Sequence, residues 1–300
     1  MKIGFIGLGR MGYNIALNLL DKKYEVVAHN RSPEPVREIA RKGAIPAFTA
    51  EELCKKLPKP KIIWLMVTAG KPVDETIKKL LPCLQKDDIL IDGGNSNFID
   101  TVRRHGQLSK RGIHYLDCGT SGGLKGARYG ACLTIGGNEK IFKKLEKLFK
   151  DIAAENGYLY TGPSGSGHFV KIVHNGIEYV MLEALGEGFD VLNAGPYNLN
   201  FREIADVWSH GSIIRSYLTE LAVEAFKKDP KLKKIRGVVG GGETGAWVAQ
   251  YAKKWNVAVP ALETALKMRK LSSKKERFSG KVIAALRNEF GGHEVVKNKK

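Results

Sequence analysis

Hydrophobic residues in the first half of the chain form short runs that alternate with segments of helical period. The runs lie at residues 2–6, 25–28, 45–48, 61–67, 88–92 and 113–117. Each has the length of a strand, is rich in aliphatic residues and is bounded by turn residues, which is typical of buried β-strands. Strands that alternate with helices through short turns predict a mainly parallel, doubly wound sheet.

The pattern changes near Gly162. A Gly/Pro/Ser-rich turn leads from there into a long helix of apolar period, and the remaining sequence indicates helices that are interrupted at Gly-Pro, Asp-Pro and Val-Pro pairs. We therefore predict an α/β protein of two domains, with the sheet at residues 1–162. Residues 163–300 form the second, all-helical domain and end in a basic tail.

The first predicted strand runs directly into a glycine-rich turn and then an amphipathic helix. In a turn of this kind Gly7 allows the tight bend, Gly9 lets the backbone approach a pyrophosphate, and Gly12 lets the helix pack closely on the strand. The Gly-x-Gly-x-x-Gly spacing alone is a weak signal, but its place between a strand and a helix predicts a Rossmann-type dinucleotide site. The expected cofactor contacts here are Gly7, Leu8, Gly9, Arg10, Met11 and Gly12.

The end of the second predicted strand indicates which dinucleotide is bound. A free ribose 2′-hydroxyl usually meets an acidic side chain at this point. This chain has Asn30, Arg31 and Ser32 instead. A guanidinium with neutral hydrogen-bonding groups favours NADP over NAD, although Arg31 can also be solvated or stack on adenine.

Further loops follow predicted strands, at the carboxyl ends where such sheets bind ligands. Val67-Thr68-Ala69 is expected beside the nicotinamide, and Asn95 is placed to bridge cofactor and substrate. Ser121-Gly122-Gly123 can offer a hydroxyl and backbone N–H groups to a carboxylate. It can equally be a tight turn that needs positive φ, which glycine supplies.

The long helix after Gly162 carries a polar stripe. Lys171, His174, Asn175, Glu178 and Tyr179 follow one another at helical spacing and share one broad face. These are the components of a proton-transfer site, because a desolvated lysine can act as a base and a buried carboxyl group can donate a proton. An ion pair between Lys171 and Glu178 that only fixes packing explains the spacing equally well. The apolar residues around the stripe predict a helix buried on several sides.

Residues 165–179 resemble the signature of the 6-phosphogluconate dehydrogenase family, Gly-x-Gly-His-Phe-Val-Lys-x-Val-His-Asn-Gly-Ile-Glu-Tyr. The resemblance covers nearly the whole chain and is greatest to the short form of the family, whose helical domain is not duplicated. It implies oxidative decarboxylation of 6-phospho-D-gluconate to ribulose 5-phosphate and CO2, with NADP as the preferred cofactor. It also implies a place in the pentose phosphate pathway and no metal.

The resemblance implies a role for each residue of the stripe. Lys171 would take the proton of the 3-hydroxyl and then stabilise the enolate oxygen, and Glu178 would protonate C1 of the enediol. His174 and Asn175 would position the hydroxyl and carboxylate. The other substrate ligands that it implies in this part of the chain are Tyr179, Asn95, Ser121, Gly122 and Gly123.

Near the C-terminus the resemblance implies a phosphate site. Arg269 matches the phosphate ligand of the family. Arg287 and His293 lie in a segment similar to the tail that reaches into the partner's active site, which implies a homodimer. One position departs from the family, because Ala246 stands where a basic substrate-binding residue is usual. A neighbour such as Lys253 could replace that residue.

The net charge is +18, from 49 Lys and Arg against 31 Asp and Glu. A nucleic-acid-binding protein is one explanation, but the basic residues are spread over many predicted helices and no nucleic-acid motif accompanies them. We therefore expect no nucleic-acid partner. The remaining alternative is another β-hydroxyacid dehydrogenase, of the 3-hydroxyisobutyrate type, acting on a small unphosphorylated acid. Glu178 and the tail from Arg287 to His293 favour the phosphorylated substrate.

The cysteines at positions 54, 83, 118 and 132 are scattered, without a Cys-x-x-Cys pair or a histidine at metal-ligand spacing. We expect reduced thiols and no metal site. No apolar run of membrane length is free of charge, and the first predicted strand begins beside Met1. We therefore expect a cytoplasmic protein with no membrane span.

Overall fold

The computed structural model describes residues 1–241 and 243–298. The chain divides into two compact units, Met1–Ile172 and the part from Val173 onward. The α/β fold class expected from the sequence is confirmed, with a mainly parallel sheet in the first unit and helices in the second. The domain boundary placed after residue 162 stays a prediction.

The first unit is built on a sheet of eight strands in the order β3-β2-β1-β4-β5-β6-β7-β8. Neighbouring strands are parallel except for the antiparallel pair β6 and β7. The strands are β1 Lys2–Ile6, β2 Glu25–His29, β3 Ile45–Ala47, β4 Ile62–Leu65, β5 Ile89–Asp92, β6 His114–Ser121, β7 Ala131–Gly136 and β8 Ala153–Gly162.

Helices cover both faces of this sheet, as a doubly wound fold requires. Alternate strand residues point to opposite faces, so Phe5 and Trp64 belong to one buried cluster while Ile63 and Leu65 belong to another. The helices of the first unit are α1 Arg10–Asp21, α2 Pro33–Ala40, α3 Ala50–Lys55, α4 Lys71–Leu80, α5 Phe98–Ser109, α6 Gly123–Tyr129 and α7 Glu139–Ile152.

The cysteines differ from the expectation in one respect. Cys54, in α3, and Cys83, just after α4, form a disulfide whose Cα atoms lie 6.2 Å apart. The expectation that all thiols are reduced was wrong for this pair, because the fold brings together two helix ends that lie far apart in sequence. Cys118 is a buried free thiol and Cys132 an exposed one.

The second unit packs its helices around Phe189, Phe201 and Phe226, whose rings contact one another. Helix α8, Ser166–Ala194, begins in the first unit and continues through the boundary into the second. The other helices are α9 Phe201–Trp208, α10 Tyr217–Lys228, α11 Glu243–Lys254, α12 Pro260–Leu271 and α13 Phe278–Gly291. Across residues 1–241 and 243–298, no helix is both long enough and apolar enough to span a membrane.

Helix α8 is less buried than its apolar content predicts. Ile177, Met181 and Val191 are 58%, 38% and 72% exposed. They lie at spacings of four and ten residues, which places them along one side of the helix. The expectation that α8 is buried on several sides was therefore wrong for this side of the helix. An exposed apolar row of this kind is relevant to whether the protein forms a dimer.

Candidate active site

The glycine turn after β1 leaves room for a ligand at one position only. Gly7 has φ of 100° and lies against the carbonyl of Met66, and a side chain at Gly12 would collide with the carbonyl of Gly7. A side chain at Gly9 would meet nothing within 4 Å. Gly9 also precedes α1, whose first N–H groups and helix dipole favour an anion there. The turn therefore fits the pyrophosphate of a dinucleotide.

Asn30 ties this turn to the end of β2. Its Oδ1 accepts a hydrogen bond of 3.0 Å from the backbone N–H of Leu8. Its Nδ2 donates to the hydroxyl and the carbonyl of Ser32, at 3.0 and 3.2 Å. Asn30 thus holds the loop that presents Arg31, which is exposed.

A groove of about 640 Å³ opens at the carboxyl ends of these strands. The predicted cofactor residues that line it are Gly7, Gly9, Asn30, Arg31, Ser32, Val67 and Thr68. Leu8, Arg10, Met11, Gly12, Ala69 and Asn95 do not line it. Sequence reasoning missed His29, Phe48, Thr49, Glu75, Thr76 and Lys79, which do.

Asn95 lies in the loop after β5 and is fixed to the end of β6. Its amide donates to the carbonyl of Thr120 at 3.1 Å and accepts from the N–H of the same residue at 2.9 Å. Ser121 directly follows Thr120, and Gly122 and Gly123 have φ of 111° and 62°. Asn95 and the Ser-Gly-Gly turn are therefore neighbours, and the turn also uses the positive φ that glycine allows.

Asp117, on β6, holds the beginning of α8. Its buried carboxylate accepts hydrogen bonds from the N–H groups of Gly165 and His168, at 2.8 and 2.9 Å. His168 is also buried, with its Nδ1 2.7 Å from the Thr101 hydroxyl and its Nε2 donating to the Asp92 carbonyl at 3.1 Å. These contacts orient the first turn of α8 relative to the sheet.

Lys171 follows one turn later and is only 6% exposed. The backbone of β6 approaches it closely, because a Cβ at Gly119 would lie 2.5 Å from the Cβ of Lys171. Glycine at this position therefore allows the lysine to pack on the strand. The amine that was predicted to act as a base is held by the rigid part of the first unit.

In the second unit the stripe on α8 meets α11. The Tyr179 hydroxyl lies 3.0 Å from the Thr244 hydroxyl, to which the Asn175 amide donates at 3.4 Å. The His174 ring lies 3.1 Å from the Asn175 side-chain oxygen. Gly245 allows this approach, since a Cβ there would lie 2.5 Å from the Tyr179 ring. Thr244 was missed because no motif in the sequence marks it.

A pair of guanidinium groups adjoins Tyr179. Arg269 lies over the Tyr179 ring, 3.9 Å from its centroid, and is only 8% exposed. Its Nη1 is buried and makes no hydrogen bond to any described residue. Burial and the charge of Arg269 lower the pKa of Arg287, while Tyr179 and Glu178 act in the opposite direction. The two cations thus lie close to each other and to the stripe.

Models of two protein families match the chain. The NAD binding domain of 6-phosphogluconate dehydrogenase matches residues 2–162, and the C-terminal domain of the same enzyme matches residues 167–300. The chain belongs to the 6-phosphogluconate dehydrogenase family.

Full-length relatives agree with this family. The chain is 45% identical to the putative 6-phosphogluconate dehydrogenase YqeC of Bacillus subtilis (strain 168), over 99% of this chain and 100% of that protein. It is 44% identical, over 99% of each chain, to the NAD(+)-dependent, decarboxylating 6-phosphogluconate dehydrogenase of Haloferax volcanii.

A solved structure is also similar. The Plasmodium falciparum 6-phosphogluconate dehydrogenase, described as apo and in complexes with NADP+ and 6-phosphogluconate, aligns with a TM-score of 0.82 and 32% identity. The alignment covers 91% of this chain and 62% of that one. The present chain therefore spans less than two thirds of that longer family member.

The position at which this chain departs from the family lies in the first turn of α11. Ala246 is exposed there, and Lys253 lies in the last turn of the same helix. Their separation of seven positions corresponds to about 10 Å along a helix, so Lys253 is not a close replacement. Arg287 instead brings a second cation to Arg269.

The C-terminal tail packs on its own helix. The Asn288 amide donates to the carbonyl of His293 at 2.8 Å, and the His293 ring lies edge-on to Phe290. Arg287 and His293 are therefore both placed by α13. In the described part of the chain, no cluster of three or more His, Cys, Asp or Glu side chains is arranged to hold a metal ion.

Proposed function

We propose that this chain oxidises and decarboxylates 6-phospho-D-gluconate to ribulose 5-phosphate and CO2, with NADP as the electron acceptor. The observation that carries the proposal is the buried guanidinium of Arg269 over the Tyr179 ring, whose Nη1 has no hydrogen-bond partner among the described residues. The charge of Arg269 also acts on Arg287, and two guanidinium groups that act on one another suit a phosphate dianion. A small unphosphorylated acid would leave the buried Nη1 of Arg269 without an acceptor.

The glycine turn and groove fit the cofactor. The open position at Gly9 and the start of α1 would hold the pyrophosphate, Arg31 the ribose 2′-phosphate, and Val67 and Thr68 the nicotinamide end. When bound, the nicotinamide supplies a hydride acceptor. The Asn30-Arg31-Ser32 sequence favours NADP, because it lacks the carboxylate that usually binds an unphosphorylated ribose.

Lys171 is the base in this proposal. It takes the proton of the 3-hydroxyl as the hydride leaves C3, which gives a β-keto acid. The protonated amine then stabilises the developing enolate oxygen while the carboxylate leaves as CO2. Glu178, less than two turns further along α8, gives its proton to C1 of the enediol. The ketone is the electron sink, so the residues present are sufficient for the proton transfers.

The other polar residues orient the substrate. His174 and Asn175 bind its hydroxyl and carboxylate groups, and the Asn175 amide is itself fixed by Thr244. Asn95 and Ser121 to Gly123 form a second set of contacts at the end of β6, where Asn95 is held by Thr120. A carboxylate and a phosphate at opposite ends of the substrate would fix its direction in the site.

We also propose that the active form is a homodimer. The exposed apolar side of α8, with Ile177, Met181 and Val191, supports it because apolar rows of this kind usually mark an interface. The family resemblance implies a tail that reaches the partner's active site. However, the charge of Arg269 of the same chain lowers the pKa of Arg287, so we assign Arg287 to its own subunit and leave His293 as the candidate that reaches the partner.

The decisive experiment is steady-state reduction of NADP and NAD by the purified protein with three acids, 6-phosphogluconate, gluconate and 3-hydroxyisobutyrate, while CO2 is trapped. We expect turnover with the phosphorylated acid and an equal amount of CO2. The matched control is Lys171→Ala, whose circular dichroism and cofactor binding should match the parent. Turnover restricted to an unphosphorylated acid, or reduction of NADP without CO2, would overturn the proposal.

A further inference from the structure

Helix α4 presents neighbouring lysines to two different cavities. Pro72, Glu75, Thr76 and Lys79 line the cofactor groove at i, i+3, i+4 and i+7 spacing. Lys78 instead lines a separate cavity of about 220 Å³ between α4 and α5. Both lysines are exposed. They therefore differ mainly in the face of the helix from which they project.

The charges in the groove do not balance. Its cationic side chains are Arg31 and Lys79, and the acidic side chain that lines it is Glu75. Glu75 lies 3.6 Å from Lys71, one turn earlier on the same helix. Neither Arg31 nor Lys79 forms an ion pair with any described residue. The groove thus contains two cationic side chains that lack an ion-pair partner in the described part of the chain.

The charge of Lys79 acts on His29, which is the last residue of β2 and lies two positions before Arg31. The pKa of His29 is lowered, first by burial and then by the charge of Lys79, against the opposing effects of the Ala47 carbonyl and Glu52. His29 is therefore neutral near pH 7 and adds no charge to the groove. Its Nδ1 is 3.0 Å from the Ala47 carbonyl, so its ring is directed towards β3.

We propose that Lys79 is a specificity-determining residue that binds the ribose 2′-phosphate together with Arg31. A phosphate monoester carries close to two negative charges at neutral pH, which one guanidinium and one ammonium neutralise. NAD lacks this group and leaves both cations uncompensated. This inference rests on the proposed cofactor and adds a residue from α4 that the sequence motif at the end of β2 does not contain.

The test uses cofactor fragments, so it does not depend on the substrate. Adenosine 2′,5′-bisphosphate and 5′-AMP are titrated into the intact protein by calorimetry, and the parent is compared with Lys79→Ala. We expect the variant to bind the bisphosphate about tenfold more weakly, as for loss of one charge-assisted contact, and AMP unchanged. Lys78→Ala is the matched control, with the same charge change on the other face, and should alter neither affinity.

The outcomes separate this inference from the proposed reaction. Equal weakening of both fragments by Lys79→Ala would mean that Lys79 contacts the adenine or the 5′-phosphate, and would overturn the inference. The inference would also be overturned if Lys79→Ala weakened the binding of neither fragment. An equal loss of bisphosphate affinity in Lys78→Ala would overturn it as well, because it would indicate a long-range effect of charge and not a contact. Conversely, a selective loss of affinity for the bisphosphate in Lys79→Ala would support the inference even if the protein failed to oxidise 6-phosphogluconate.

Discussion

The buried carboxylate of Asp117 accepts a hydrogen bond of 2.9 Å from the backbone N–H of His168, in the first turn of α8. Its other oxygen accepts from the N–H of Gly165 at 2.8 Å. These are two of the donors that a helix leaves unsatisfied at its start, and β6 supplies their acceptor. Lys171 lies one turn later, so a fully buried residue of the sheet helps to fix the position of the proposed base.

Asp117→Asn should lower kcat by about tenfold or more while the KM for NADP stays close to that of the parent. The asparagine amide would present a donor to one of the two N–H groups, and the first turn of α8 would shift with Lys171. Steady-state kinetics test this, with urea unfolding to measure the accompanying loss of stability. Asp87→Asn is the control, because Asp87 is an exposed aspartate away from α8. An unchanged kcat would show that Asp117 contributes to folding alone.

Lys171→Ala should reduce turnover by about 10²–10⁴, the usual contribution of a general base. NADP binding should be unaffected, since Lys171 packs against Gly119 and does not line the groove. Added methylamine should restore part of the rate, because a small amine can occupy the space and take the proton. Trimethylamine, which is bulkier, is the control. Full activity without any amine would exclude Lys171 as the base.

Whether Arg287 acts in its own subunit can be decided with mixed dimers. Lys171→Ala and Arg287→Ala chains are each nearly inactive by the proposed mechanism. If Arg287 serves its own subunit, as the effect of the Arg269 charge on its pKa favours, every site in the mixture carries one defect and activity stays low. If Arg287 reached the partner, one site of each mixed dimer would have both native residues, and activity would rise on mixing. Native mass spectrometry confirms that the chains exchange.

Glu183, which lines the same small cavity as Arg269 in the second unit, should make the stability of the protein depend on pH. It is 8% exposed, and its pKa is raised from 4.5 to about 7, first by burial and then by Glu187, against the effects of Arg269 and Arg277. The folded protein therefore binds more protons than the unfolded chain between these values. The stability associated with protonated Glu183 is complete below pH 4.5 and is lost as the pH rises through 7.

Glu183→Gln keeps the shape of the protonated acid without its titration. At pH 8 the variant should be more stable than the parent by about 2 kcal/mol, and near pH 5 the difference should nearly vanish. Urea unfolding at several pH values measures this, with the exposed Glu224→Gln as the control. A stability difference that does not change with pH would contradict the assignment.

Local patterns predicted much of this molecule. The strand, glycine turn and helix from Lys2 to Asp21 are encoded within about twenty adjacent residues, so hydrophobic period and glycine spacing are enough to place them. The stripe from Lys171 to Tyr179 is likewise a property of one helix. Strand β8 was harder to place, because none of its residues is fully buried and it has no continuous apolar run.

The parts that escaped prediction depend on contacts between distant segments. Thr244 meets Tyr179 across 65 residues of sequence, and Cys54 meets Cys83 across 29. Lys79 reaches the cofactor groove only because α4 presents that face and not the face of Lys78. Residue propensity and spacing carry no information on these contacts, which form only when helices pack on the sheet or on one another.

The three hydrogen bonds of Asn30 have a consequence for the binding and release of the cofactor. They join the glycine turn to the end of β2 by contacts within the chain, which favour an ordered loop along the groove. Contacts that already order a loop reduce the conformational entropy that it loses when a ligand binds. A dehydrogenase must release its reduced cofactor after every turnover. By ordering this loop, Asn30 reduces the rearrangement that would accompany each exchange of the oxidised and reduced cofactor.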